Sequence, residues 1–99
     1  MTLTGALSQL AIGTPREAFG EAALESARRM TLDTLGCALA GWNAPGVRES
    51  VEQMRAWGGA QEASLLIHGD RLPAPNAAFA NSAMIHALDY DDVHPPGTL

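Results

Sequence analysis

The residues of this 99-residue chain best suited to chemistry gather near its C-terminal end. His86, Asp89, Tyr90, Asp91, Asp92 and His94 follow closely on one another, after an alanine-rich stretch. A helix running through them would place His86 and Asp89 (i,i+3) and His86 and Tyr90 (i,i+4) on one face. Such a face could hold an imidazole, a carboxylate and a hydroxyl around a small polar substrate. Acid–base catalysis needs these groups close together, in surroundings that bring their pKa values toward neutrality. A second reading has Asp89, Asp91, Asp92 and His94 binding a divalent cation, since oxygen-rich clusters suit hard ions. Their spacing fits neither a calcium-loop pattern nor a His-x-x-x-His helix. In a third reading the acids form a solvated helix end, where opposing the macrodipole costs only about a few tenths of a kcal/mol. Three acids placed against the dipole and beside the Pro95-Pro96 stop are odd choices for stability, and that oddity favours a functional site.

The rest of the chain narrows the chemistry by what it excludes. Eleven carboxylates face six arginines, and lysine is absent. Arg16, Arg28, Arg29, Arg48, Arg55 and Arg71 are dispersed, whereas a phosphate-binding surface needs clustered cations, so nucleic-acid binding is not expected. Without lysine these residues supply neither a Schiff base nor an ammonium base. Cys37, the only cysteine, excludes an internal disulfide and a cysteine-rich metal site. Its apolar neighbours predict a small buried hydrophobe rather than a reactive thiol. Asp33 reads as a carboxylate that is either buried with a partner or facing solvent, His68 as a turn residue, and Asn81 and Ser82 as polar groups packed on a helix. The apolar stretch Leu35–Trp42 is far shorter than the ~20 residues of a bilayer span. The N-terminus lacks the basic region of a signal peptide. The expectation is a cytoplasmic protein with no membrane partner.

The elements that must position the cluster are helical. Leu3, Ala6, Leu7, Leu10 and Ala11 predict a short amphipathic helix over 3–12, ended by Gly13. Thr14, Pro15 and Glu17 predict a capped start to a long helix, or two in close succession, reaching Trp42. Glu25 and Arg29 form a favourable i,i+4 pair there. Gly36, Ala38, Ala40 and Gly41 predict a close helix–helix seam. Asn43-Ala-Pro45-Gly46 is a turn, followed by a helix near Val47–Trp57 with Val47, Val51, Met54 and Trp57 inward and Gly58-Gly59 as its stop. Ala63–Ile67 is a strand or an extended crossing segment, and Leu72-Pro-Ala-Pro75 a rigid loop. Pro75 or Asn76 opens a last helix with a small-residue face of Ala77, Ala80, Ala83, Met84 and Ala87. The fold class is all-α with at most one short strand. With only Phe19, Trp42, Trp57, Phe79 and Tyr90 as aromatic residues, the core is modest.

Four segments in order carry a resemblance: Leu32-Asp-Thr-Leu-Gly-Cys-Ala-Leu-Ala-Gly41, Ala63-Ser-Leu-Leu-Ile-His-Gly69, Pro75-Asn-Ala-Ala-Phe-Ala-Asn81 and His86-Ala-Leu-Asp-Tyr-Asp-Asp92. Together they resemble the N-terminal part of the MmgE/PrpD family, which includes 2-methylcitrate dehydratase, cis-aconitate decarboxylase and iminodisuccinate epimerase. The resemblance implies that residues 1–99 are part of a large all-α domain in a two-domain subunit. It also implies a homodimer, no metal or organic cofactor, and a reaction on a small di- or tricarboxylate. The nearest implied activity is like that of 2-methylcitrate dehydratase, with proton abstraction and loss of water. Asp89 matches the first Asp of the family's Asp-aromatic-Asp-Asp motif, Asp92 ends it and His94 lies in the loop after it. These three are the expected catalytic residues, with His86 and Tyr90 binding substrate. The family motif continues into a further His-Pro, expected just beyond Leu99, and the basic residues that bind substrate carboxylates come later still. By this reading the 99 residues are an N-terminal part and are inactive alone. A non-catalytic helical module used for self-association and a small metal-binding helical module are the competing readings.

Overall fold

The computed structural model describes residues 2–93, so His94 and the prolines after it lie outside the described residues. Four helices and one small hairpin follow in the order α1 (Leu3–Gly13), α2 (Glu21–Gly41), α3 (Val47–Trp57), β1 (Ala63–Ser64), β2 (Arg71–Leu72) and α4 (Ala74–His86). The all-α expectation holds, and the one expected strand is half of a two-residue ladder. Ala63 pairs with Leu72 and Ser64 with Arg71, antiparallel. Leu72, read from sequence as loop, is thus the end of β2, and α4 begins at Ala74.

The first helix starts as its sequence predicts, with the Thr2 hydroxyl accepting from the Gly5 N–H at 3.1 Å. It ends at Gly13, as expected, but the role of Thr14 differs from expectation. Thr14 does not cap the long helix; it closes α1, its hydroxyl donating to the Leu10 carbonyl. Pro15 then holds an extended backbone, Arg16–Ala18 make one 3₁₀ turn, and α2 starts only after Gly20. A hydroxyl that can bond either forward or back satisfied the helix behind it, and the capping-box spacing went unused. Along α2, Glu25 accepts from Arg29 at 3.1 Å as expected, and Arg28 bonds Glu21 at 2.9 Å.

The core sits between the second half of α2, α3, the hairpin and α4. Ala38, Val47, Val51, Met54, Leu65, Leu72, Ala77, Ala80 and Met84 are buried there. Val47, Val51 and Met54 face inward as their spacing predicts, while Trp57 stays exposed. Glu49 accepts from the Gly46 N–H at 3.1 Å and fixes the start of α3. Asn81 ties the hairpin to α4: its side-chain oxygen accepts from the Leu66 N–H at 2.9 Å, and its amide donates to the Ser64 carbonyl at 3.0 Å. At the hairpin tip His68 lies edge-on to Trp42, ring centroids 5.9 Å apart, as part of a turn.

The contact that sets the site is the crossing of α2 over α4. Gly41 is buried against the last turn of α4, so closely that a Cβ there would fall 2.2 Å from the Met84 carbonyl oxygen. Only part of the predicted small-residue seam takes part: Ala38 and Gly41 are buried, whereas Gly36 and Ala40 are exposed. On α4 the packed face is Ala77, Ala80 and Met84.

Candidate active site

The regular part of α4 ends at His86. Ala87 is still helical, and the Asp89 N–H returns to the His86 carbonyl at 3.0 Å. Asp89 itself adopts φ 56°, in the left-handed region that Asp tolerates better than most side chains. The helix therefore does not run through the cluster: His86 and Asp89 still share one side, as predicted, but Tyr90 does not join them. The chain reverses instead and brings Asp91 back to His86.

His86 Nδ1 lies 2.9 and 3.0 Å from the two carboxylate oxygens of Asp91. The Asp91 carboxylate raises the pKa of His86 above the usual histidine value, first through this hydrogen bond and then through its charge, and Asp89 adds to the effect. His86 holds Asp91 below the usual carboxylate range by the same bond. Asp91 is half-buried and His86 exposed. This is a histidine with one nitrogen committed to a carboxylate, which fixes its ring and leaves Nε2 for other work.

His86 and Asp89 line one open hollow of about 720 Å³, with Phe79, Ser82, Ala83 and Ala87. Phe79, Ser82, Ala83 and His86 follow helical spacing, so that stripe was readable in sequence. Asp91 was named only as a possible cation ligand; its pairing with His86 was not readable, because it depends on the backbone reversal at Asp89. Tyr90 turns away from this hollow. It lines a second one of about 510 Å³ with Leu32, Asp33, Gly36, Cys37 and Ala40 of α2. The structure thus brings His86, Asp89 and Asp91 together and sets Tyr90 on the other side. Asp92 is exposed. His94 lies outside the described residues.

Cys37 is buried, as its neighbours predict. Burial pushes its thiol up, and Asp33, Asp91 and Asp92 push it further, the opposite of what a reactive thiolate requires. Asp33 is exposed. No arginine lines either hollow.

His86, Asp89 and Asp91 each offer a ligand-type atom within 4.8 Å of one another. Two of the three are already joined by a hydrogen bond, and exposed acidic groups often gather in this way without a metal. Chemically the arrangement is an oriented imidazole beside a second carboxylate at an open hollow, which suits moving a proton on a small ligand. No described helix is long and apolar enough to cross a membrane.

Comparison with known proteins accounts for nearly the whole chain at once. No curated protein and no solved structure matches it. The MmgE/PrpD N-terminal domain matches residues 5–99, a span that contains α2, α3, the hairpin, α4 and the complete His86–Asp92 cluster. The chain belongs to the MmgE/PrpD family.

Proposed function

We propose that this chain supplies part of the active site of a cofactor-free lyase or isomerase acting on small di- or tricarboxylates, with dehydration of a 2-methylcitrate-like substrate as the leading reaction. The observation that carries it is the family match over a segment whose polar residues converge at the end of α4. In this reading a proton leaves a carbon next to a carboxylate, and a β-hydroxyl departs to complete the elimination. Asp89 acts on the substrate as an acid–base or orienting group. Asp92 and His94 follow it in sequence as further catalytic residues, whereas Tyr90 lines the separate hollow against α2.

The electrostatics indicate what else is needed. A net charge of −5 and the lack of an arginine in the two hollows beside the cluster would disfavour a tricarboxylate. The positive groups that bind its carboxylates therefore come from outside residues 2–93, and the 99-residue chain by itself is inactive. A second copy of the chain as partner fits the same reading, and the cytoplasm is the compartment proposed. The test is a substrate panel: the protein made from its complete reading frame, supplied with 2-methylcitrate, cis-aconitate and iminodisuccinate. Dehydration of 2-methylcitrate is expected. Turnover of cis-aconitate alone would move the assignment to decarboxylation, and turnover of none would contradict the reading.

A further inference from the structure

The proposed reaction needs a base that can take a proton from carbon, and the cluster contains a pair arranged for that purpose. Both Asp91 oxygens approach Nδ1 of His86, and no described group bonds Nε2. His86 lines the same hollow as Asp89. We propose that His86 is a catalytic base of the reaction and Asp91 its positioning residue, a role for His86 beyond holding substrate. The inference rests on the function proposed above.

The carboxylate accepts the Nδ1–H, which fixes the tautomer and makes Nε2 the basic nitrogen. Nε2 takes the proton from the carbon next to a substrate carboxylate. The C–H electron pair becomes the new carbon–carbon π bond as the β carbon–oxygen bond breaks. The imidazolium, steadied by Asp91, gives the proton to the departing hydroxide, so one water leaves and His86 returns to neutral. Asp89, within 4.8 Å of the pair, is placed to orient the substrate. The charged and titratable groups around the pair are few. Asp89 acts on His86 from the same turn, and Asp33 and Cys37 stand on α2, the helix packed behind. No arginine is among the groups that shift either partner.

The test uses the protein from its complete reading frame, with 2-methylcitrate as substrate and pH profiles of kcat/KM for wild type, His86→Gln and Asp91→Asn. His86 is exposed and outside the core, so its replacement leaves the packing of α4 intact, and the pH profiles separate chemistry from loosening of the turn. His86→Gln is expected to lower kcat by about 10²- to 10⁴-fold, with a much smaller rise in KM from the lost substrate contact. A base works only when unprotonated, so activity falls on the acid side. Removing the Asp91 charge lowers the imidazole pKa, and Asp91→Asn should move that acid limb to lower pH while reducing the plateau. A purely structural role would depress the rate at every pH and leave the limb in place. A His86→Gln enzyme close to wild type, or an unmoved limb in Asp91→Asn, would overturn the proposal. Wild type silent on every carboxylate would overturn both His86's role and the function beneath it. Imidazole ¹⁵N spectra then separate the two failures. An Nδ1–H tautomer whose titration falls in Asp91→Asn places the error in the reaction, and equal titration places it in the pair.

Discussion

Asp89 leaves α4 with φ at 56°, and that one backbone angle decides which carboxylate His86 meets. Had the helix continued, Tyr90 would have stood on the His86 face; the reversal keeps Asp89 beside His86 and delivers Asp91 in place of Tyr90. The resulting pair makes the turn sensitive to pH. The folded pKa of His86 is raised, so its contribution is complete below the ordinary histidine value of 6.5 and is lost as pH rises through the folded value. The folded pKa of Asp91 is lowered, so its contribution is complete above the ordinary 3.8 and is lost as pH falls through the folded value. The pair therefore holds the turn best between these ordinary values. Amide exchange at Asp89–Asp92 is expected to be slowest, relative to the intrinsic rate, in that window. Protection that does not vary with pH would mean that the pair contributes nothing to the turn. The cluster's residue types were legible in sequence, because polar groups after an alanine-rich stretch stand out. Which of them touch was not, because spacing arguments assume a regular helix and the decisive angle is irregular.

At the scale of elements, α2 sets the position of the site through its close approach to α4. An added methyl at Gly41 meets the Met84 backbone oxygen, whereas one at Gly36 meets nothing within 4 Å. Gly41→Ala should therefore cost about 1–3 kcal/mol in denaturant unfolding. Gly36→Ala should be neutral or stabilising by up to about 1 kcal/mol, since alanine is the better helix former. Equal effects from the two would contradict this crossing. The sequence placed both glycines in one seam, and periodicity alone could not say which of them the partner helix covers. Local chemistry decided other differences. Thr14 spent its hydroxyl on the helix behind it, so α2 starts at Glu21 rather than near Pro15. Asn81 looked like an ordinary polar helix residue because its partners, Leu66 and Ser64, are remote in sequence. By contrast α3 was legible apart from Trp57, since a strongly amphipathic helix reports its buried face in its spacing.

The whole molecule is looser than its length requires. Its radius of gyration is 16.3 Å, against about 13 Å for a compact domain of 100 residues. α1 buries none of its residues, and Leu3, Leu7, Leu10 and Ile12 are exposed along it. Met30, Leu32, Leu35 and Leu39 add exposed apolar surface on α2. Among the described residues, four of the ten in the core cluster are alanine, which buries little area apiece. The 99-residue chain alone is expected to bind a hydrophobic dye such as ANS and to melt over a broad range. A sharp, cooperative transition without dye binding would show that it is a complete folding unit.

The most direct test of the account concerns Asp89, the residue at which family motif, backbone reversal and hollow coincide. Wild type and Asp89→Asn, both from the complete reading frame, should be compared for kcat/KM on 2-methylcitrate under identical conditions. A loss of about 10²-fold or more is expected in the variant, with the far-UV circular dichroism unchanged. Near-normal turnover in Asp89→Asn would contradict it.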